Sequence, residues 1–145
     1  MYETVVLATD GSEHATAAET HALDLAAQHD ASLQAVAVVE TRTGYDNAIV
    51  DPDRVRQQLR EDATETLEAL EGRARDRGVS VDTSVVEGIP AEAILAAAEE
   101  KDADIIVMGA RGRSTFKTVL LGSTAEAVLG RAGVPVVLVG EPGAV

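Results

Sequence analysis

Five short apolar runs alternate with four helix-like segments along this chain, and this alternation constrains the fold more than any other feature. The strand candidates are residues 4–9, 33–39, 79–86, 105–108 and 135–139. The helix candidates are residues 13–29, a long segment between Asp51 and Gly78, a short segment that begins at Pro90, and residues 124–131. Strands that alternate with helices pair in parallel through right-handed crossovers. We therefore predict an α/β fold built on a parallel sheet.

The composition of each run predicts its place in that sheet. The first and fourth runs are almost wholly apolar, as expected of central strands that helices cover on both faces. Residues 79–86 alternate between apolar and polar side chains, which is typical of a half-exposed edge strand. The pattern predicts an open, doubly wound, five-stranded parallel sheet with strand order 3-2-1-4-5. We expect a single domain over residues 1–145.

Small residues cluster between the fourth strand and the last helix. The strand is followed by Gly109-Ala110-Arg111-Gly112, and Gly122-Ser123 stands nine residues later, directly before the helix. Glycine lets a backbone approach a ligand closely, and a helix start presents N–H groups to an anion. Asp10 directly follows the first strand, at the same edge of the sheet. A doubly wound sheet binds ligands at this edge, so we predict a nucleotide site there.

Simpler interpretations of the same residues remain open. The glycines are also what turns after a strand require. Ser123 and Glu126 have the spacing of a capping box, and Ser12 is a candidate N-cap of the first helix. Asp10 either caps that helix or accepts a hydrogen bond from a ribose hydroxyl.

The charge of the chain is strongly acidic, with 25 acidic residues against 12 basic ones and a net charge of −13. Such a surface repels nucleic acid and anionic membranes, and we expect neither as a partner. The excess of acid and the scarcity of lysine are also typical of halophilic proteins. Arg111, Arg113 and Lys117 form a local exception, because no acidic residue lies between Gly109 and Ser123. We expect Arg111 and Arg113 to contact phosphate.

Several classes of protein and site are disfavoured by what the sequence lacks. Without cysteine there are no disulfides, thiolate metal sites or thiol nucleophiles. The N-terminus does not resemble a signal peptide, and no run approaches the length of a membrane span, so we expect a cytoplasmic protein. A P-loop is absent, and no obvious general base accompanies the glycine segment. We therefore assign no catalytic and no metal-ligating residue.

The last strand predicts how copies of the chain associate. It carries Pro135, four apolar residues follow, and its place at the edge of the sheet leaves backbone groups unpaired. Pairing with a second copy would cover this edge. We predict a homodimer through residues 134–140, with Val134 and Gly140 as its limits; a shielded monomer edge is the alternative.

Taken together, these segments show that the chain resembles the universal stress protein family over essentially its whole length. The matching segments are VVLATDGS, AVAVVE, DADIIVMGARG, the spacing Gly-x2-Gly-x9-Gly-Ser, and VPVVLV. That glycine spacing marks the ATP-binding branch of the family. The resemblance implies a flavodoxin-like or Rossmann-like sheet of the adenine nucleotide alpha hydrolase-like type, with ATP at the strand ends. Mg²⁺, if present, would be held mostly by ATP and water.

The resemblance also implies a role for each residue that matches the family pattern. The backbone near the end of the first strand would line the nucleoside, the main chain of the second strand would meet the adenine edge, and the glycine segment would surround ribose and phosphates. In that order along the site, and with Arg113 added for its charge, the residues are Ala8, Thr9, Asp10, Val38, Met108, Gly109, Arg111, Gly112, Arg113, Gly122, Ser123 and Thr124.

The function that these expectations support is a homodimeric, ATP-binding stress-response or regulatory module. We expect nucleotide occupancy to order residues 110–122 and so change the surface offered to protein partners that the sequence does not identify. A slow ATPase or nucleotidyl-transfer enzyme that uses the same pocket is one alternative. A nucleotide-free structural or interaction dimer is the other.

Overall fold

Nine regular elements carry the fold in the part of the chain that the structure describes. The structure, a computed structural model, describes residues 2–40, 52–111 and 121–140. The strands are β1 Thr4–Ala8, β2 Ser32–Glu40, β3 Val81–Gly88, β4 Ile105–Gly109 and β5 Val136–Val139. The helices are α1 Glu13–His29, α2 Pro52–Asp76, α3 Pro90–Glu100 and α4 Ser123–Arg131.

The five strands form one parallel sheet in the order β3-β2-β1-β4-β5, which confirms the predicted fold class and strand order. In the register of the sheet, Ala8 at the end of β1 lies opposite Val36 of β2 and Met108 of β4. β2 then continues for four more residues, to Glu40. At about 3.3 Å per residue, β2 projects about 13 Å beyond the end of β1. This projection forms a side wall at the carboxyl edge of the sheet.

Each face of the sheet has its own apolar core, because successive side chains of a strand point to opposite faces. Val5 and Leu7 pack with the first two helices, whereas Val6 and Ala8 pack with the last two. All four side chains are buried, as are those of the facing β4 residues. Burial on both faces explains why β1 and β4 are apolar throughout and why they occupy the centre.

β3 begins two residues later than predicted. Gly78 adopts the left-handed conformation (φ 69°) at the end of α2. The amide of Val79 then donates to the carbonyl oxygen of Ala74 at 2.9 Å, so Val79 belongs to the turn that closes the helix. The strand therefore covers Val81–Gly88 rather than residues 79–86, although its alternating exposure is that of the expected edge strand.

Of the two predicted helix caps, one is found. Ser12 is the N-cap residue of α1, as predicted, although its hydroxyl donates to Asp10 Oδ1 and forms no capping hydrogen bond with the helix. The capping box predicted for Ser123 and Glu126 is wrong. Gly122 is the residue with extended N-cap angles (φ −70°, ψ 155°), and its carbonyl accepts from the amide of Glu126 at 2.9 Å. Ser123 is thus the first helical residue, one position too late for the box.

None of the helices within the described ranges is both long enough and apolar enough to cross a membrane.

Candidate functional site

A cavity of about 590 Å³ opens at the carboxyl edge of the sheet, within the size range of small-molecule sites. Its floor is the ends of β1 and β4, one wall is the projecting end of β2 with α2, and the opposite wall is the start of α4. The lining residues are Ala8, Thr9, Asp10, Ala15, Val36, Ala37, Val38, Val39, Glu40, Leu59, Asp62, Ala63, Pro90, Ile94, Met108, Gly109, Arg111, Gly122, Ser123, Thr124 and Ala125.

Ten of the twelve site residues predicted from the sequence line this single cavity. They are Ala8, Thr9, Asp10, Val38, Met108, Gly109, Arg111, Gly122, Ser123 and Thr124. The other two, Gly112 and Arg113, lie outside the described residues, as does most of the segment 110–122 that we expect a ligand to order. Residues from four different elements therefore meet at the edge where the parallel strands end.

The turn after β1 presents Asp10 to the cavity. Asp10 Oδ1 accepts hydrogen bonds from the amide of Ser12 at 2.9 Å and from its hydroxyl at 2.5 Å, which is the pattern of an Asx turn. Gly11 between them has φ 76°, a left-handed conformation that favours glycine. Ser12, not Asp10, holds the N-cap position of α1. The carboxylate of Asp10 is thus held by its own turn at the cavity wall.

A series of hydrogen bonds between buried and partly buried side chains adjoins this turn. The hydroxyl of Thr9 donates to Glu19 Oε2 at 2.6 Å and accepts from the amide of Gly11 at 3.3 Å. The other carboxylate oxygen of Glu19 accepts from Arg73 Nη1 of α2 at 3.1 Å. Thr9 and Glu19 are the two polar residues among those described that the fold buries. These contacts join the end of β1 to two helices.

One feature of the sequence indicates that Glu19 makes a specific contact, although Glu19 was not among the predicted site residues. Glu19 stands on the small apolar stripe of α1, between the buried Ala18 and Ala22. A carboxylate on a buried helix face requires a partner. That signal would have marked Glu19 as a residue with a specific contact, but not Arg73 as the partner, because the two are 54 residues apart.

Gly109 is glycine because the end of β4 passes very close to α1. A Cβ atom at this position would lie 3.0 Å from the carbonyl oxygen of His14 and 3.2 Å from that of Arg111. Both obstacles are backbone atoms, which cannot rotate away. The close approach that glycine allows here is therefore to the protein's own α1. It brings the start of α1 and the end of β4 to the same cavity.

The start of α4 forms the opposite wall. The amide of Gly122 donates to the carbonyl oxygen of Ala110 at 2.8 Å, so the helix start is fixed beside the end of β4. Gly122 at the N-cap has no side chain that could cap the first turn, and Ser123 and Thr124 at its beginning line the cavity. The positive end of a helix dipole and the guanidinium of Arg111 thus adjoin the same space. This end of the cavity is suited to an anion.

Beside the end of β2, where Val38 was predicted, the cavity is also lined by residues of α2 and α3 that were not predicted. Leu59, Asp62 and Ala63 of α2 contribute to it, with Pro90 and Ile94 of α3. Their mostly apolar surface suits a flat, weakly polar group rather than a phosphate. The sequence could not identify them because nothing local marks a helix face that closes over a distant strand end.

α2 is held against the sheet near this wall by a shared ion pair. Glu87 of β3 pairs with Arg56 Nε at 3.1 Å and with Arg60 Nη1 at 2.8 Å. One carboxylate therefore fixes two successive turns of the helix that carries Leu59.

The acidic residues that line the cavity come from separate parts of the fold. Asp10 lies in the turn after β1, Glu40 at the end of β2 and Asp62 in α2. In residues 2–40, 52–111 and 121–140, no three His, Cys, Asp or Glu side chains are grouped so as to hold a metal ion.

The comparisons with known proteins agree with this architecture. The sequence profile described as "Universal stress protein family" matches residues 1–140. The universal stress protein MJ0531 of Methanocaldococcus jannaschii is 36% identical over 143 residues, which covers 98% of this chain and 84% of that protein.

Two solved structures show the likeness in three dimensions. The hypothetical protein MJ0577 of the same archaeon superimposes with a TM-score of 0.85 at 30% identity, and the match covers 96% of each chain. A universal stress protein solved in complex with cAMP gives a TM-score of 0.73 at 27% identity, over 97% of this chain and 98% of that one.

Proposed function

This chain belongs to the universal stress protein family, and on that premise we propose that it binds ATP in the cavity at the carboxyl ends of β1 and β4. We further propose that it acts as a homodimeric stress-response or regulatory module. One observation carries the binding proposal: a cavity of about 590 Å³ joins an apolar wall at one end to a helix N-terminus and an arginine at the other. A nucleotide has the same division into a flat base and an anionic tail.

The orientation of the ligand follows from this division. The base would lie against the projecting end of β2, where the main chain of Val38 is available to its edge, with Leu59 opposite. The phosphates would extend toward Gly122 and the first amides of α4, within reach of Arg111. Asp10, between the two ends, is placed to accept a hydrogen bond from the ribose.

The class of ligand is supported by one relative. A family member 27% identical to this chain was solved with cAMP, an adenine nucleotide. We favour ATP because both the α4 start and Arg111 lie at the anionic end, and a longer phosphate chain uses both. Mg²⁺ would accompany the phosphates, held mostly by ATP and water, and would supply charge neutralisation there.

Calorimetry with ATP tests the proposal, and Gly122→Val is the decisive variant. The backbone angles of Gly122 are accessible to valine, so the substitution should leave the fold intact. Its branched side chain would occupy space beside the phosphates, and we expect ATP binding to be lost. Gly133→Val is the matched control, because a Cβ atom at that position meets nothing within 4 Å.

Arg111→Ala separates the phosphate end from the rest of the ligand. We expect this variant to weaken ATP binding more than AMP binding, because the guanidinium would contact the outer phosphates. If the wild-type protein binds neither nucleotide at millimolar concentration, the proposed function is wrong. Equal losses for ATP and AMP would instead place Arg111 away from the outer phosphates.

The test also separates the enzymatic and ligand-free alternatives. Phosphate release that depends on Gly122 would indicate an ATPase, whereas ATP binding without release supports a binding module. Mass spectrometry of the ligand that co-purifies with the native protein identifies the nucleotide directly.

A further inference from the structure

We infer that Glu19 is a positioning residue for the nucleotide: through Thr9 it fixes the turn that carries Asp10, and through Arg73 it couples that turn to α2. The inference rests on the proposed function, and it assigns to the site a residue that does not line the cavity. It follows from a hydrogen-bonded chain that crosses three elements.

The first step is the contact between Thr9 and Glu19. The distance of 2.6 Å from the Thr9 hydroxyl to Glu19 Oε2 is short, as expected when a hydroxyl donates to a carboxylate. Thr9 is 5% exposed and Glu19 is 9% exposed, so water competes little for either group. The proton of the hydroxyl is committed to Glu19, and its oxygen is therefore oriented to accept from the amide of Gly11.

The second step runs from Thr9 to the cavity. Thr9 is held to β2 by its own amide, which donates to the carbonyl oxygen of Val36 at 3.0 Å. With its side chain also fixed, the start of the turn at Gly11 is held from two sides. Asp10 lies between these two fixed points, and a small rotation there would carry its carboxylate away from the ribose.

The third step connects the turn to α2, which forms part of the cavity wall beside β2. Arg73 donates to Glu19 Oε1 at 3.1 Å and, through Nη2, to the hydroxyl of Thr20 at 2.7 Å. Arg73 belongs to α2, the helix that also supplies Leu59 and Asp62 to the cavity. One carboxylate thus positions both the turn under the ribose and the helix beside the base, and precise sites depend on such supporting contacts.

A second ion pair close to the same two helices serves as an internal control. Arg77, in the turn that follows α2, contacts Asp24 Oδ1 of α1 through Nη1 at 2.6 Å. Neither residue lines the cavity or contacts Thr9. Loss of this pair should weaken the contact between the helices without moving the turn.

The test compares ATP affinity in Glu19→Gln, Thr9→Val and Asp24→Asn by calorimetry, with thermal unfolding of each variant alongside. We expect the first two to weaken binding by about tenfold, the order of loss when supporting hydrogen bonds of a binding site are removed. Thr9→Ser should restore the affinity lost in Thr9→Val because it returns the hydroxyl. Asp24→Asn should bind as the wild type does.

Amide hydrogen exchange of the ligand-free protein gives a readout that does not depend on the ligand. Exchange at Gly11 and Ser12 should accelerate in Glu19→Gln and Thr9→Val, and should not change in Asp24→Asn. A role confined to stability would lower the melting temperature of the first two variants while their ATP affinity and turn exchange stayed at wild-type values, and that result would overturn the inference. If the wild-type protein bound no nucleotide, the proposed function would fail and the inference with it, whereas wild-type binding with unchanged variants would refute the inference alone.

Discussion

A single absent side chain at residue 109 allows two elements to meet. Because a Cβ atom at Gly109 would lie 3.0 Å from the backbone of His14, Gly109→Ala must push the end of β4 away from α1. We expect this variant to lose about 1–3 kcal/mol of unfolding free energy, the usual cost of overpacking. Its ATP affinity should fall as well, since Gly109 lines the cavity. Urea unfolding and calorimetry measure the two effects.

Gly72→Ala is the matched control for that prediction. Gly72 lies within α2 and a Cβ atom there meets nothing within 4 Å. Alanine is the better helix former, so this variant should gain about 0.5–1 kcal/mol of unfolding free energy. Equal stability changes in the two variants would show that the contact with His14 does not constrain Gly109.

At the residue scale, the site could be predicted where a motif is local. Glycines beside a strand end and an Asp-Gly turn can be recognised in the sequence. From them we predicted that Asp10, Gly109 and Gly122 belong to one site, and all three line the cavity. The chain from Thr9 through Glu19 to Arg73 was not predicted, because its contacts join residues far apart in sequence. Only packing of α2 against α1 creates it.

At the scale of elements, β5 is an edge strand, which pairs with β4 alone among the described strands. The amides of Ile106 and Ala110 donate to the carbonyl oxygens of Pro135 and Val139, so these two residues direct their backbone groups toward β4. Backbone groups alternate along a strand, and those of Val136 and Leu138 therefore face the outer edge. This edge is where we propose that a second copy pairs.

Leu138→Pro tests the proposed dimer without breaking the sheet. Proline removes an outward N–H, which an edge strand tolerates. We expect a monomer by light scattering, with the circular dichroism of the folded protein retained. Val137→Pro is the contrasting variant: it removes an N–H directed to β4 and should unfold the edge of the sheet. A persistent dimer in Leu138→Pro would exclude pairing through this edge.

At the amino ends of the strands, the carboxylate of Asp104 links the two central strands. Asp104 Oδ2 accepts from the amides of Glu3 at 2.8 Å and Thr4 at 3.0 Å, which ties the start of β1 to the start of β4. These backbone hydrogen bonds lower the pKa of Asp104 below its ordinary value of 3.8. Folding therefore favours the charged form, and the tie is fully present above pH 3.8.

The stability that Asp104 contributes should disappear in acid. As the pH falls from 3.8 through the lowered pKa of the folded state, the carboxyl becomes protonated and its contribution is lost. We expect the difference in unfolding free energy between the wild type and Asp104→Asn to be constant near neutral pH and to shrink in that acidic window. Asp102→Asn, which removes an exposed carboxylate two residues away, supplies the baseline. A difference that persists unchanged at pH 2 would contradict the assignment.

At this scale the sequence predicted the order and character of the strands well, because burial on both faces leaves a continuous apolar run. Element ends were less predictable. β3 starts late because Val79 completes the turn after α2, and α4 starts at Ser123 because Gly122 takes the N-cap. The first shift follows from the left-handed conformation of Gly78, and the second depends on backbone angles that several residue types can adopt.

For the whole molecule, the net charge of −13 is the dominant electrostatic fact. Repulsion among exposed carboxylates opposes the compact state, and salt reduces it because the Debye length falls to about 3 Å at 1 M. We predict that the melting temperature rises by about 5 °C or more between low salt and molar KCl. The halophilic character of the protein remains a prediction that this measurement tests.

A charge-changed variant isolates repulsion from other effects of salt. Glu99 and Glu100 are exposed near the end of α3. Replacing both by lysine adds two charges at each position and changes the net charge from −13 to −9. The gain in melting temperature with KCl should be smaller in this variant. The same gain in both proteins would attribute the stabilisation to burial of apolar surface rather than to screening.

The position of β1 also bears on how the chain is made. Its first partner, β2, follows it closely, but Val5 pairs on the other side with Ile105, one hundred residues later. During synthesis one edge of this central strand therefore stays unpaired until β4, one hundred residues later, has left the ribosome. A nascent chain that lacks β4 exposes the apolar side chains and unpaired backbone of β1 to other proteins. We therefore expect chaperones to bind ribosome-stalled chains that stop before β4 and to release those that extend past it.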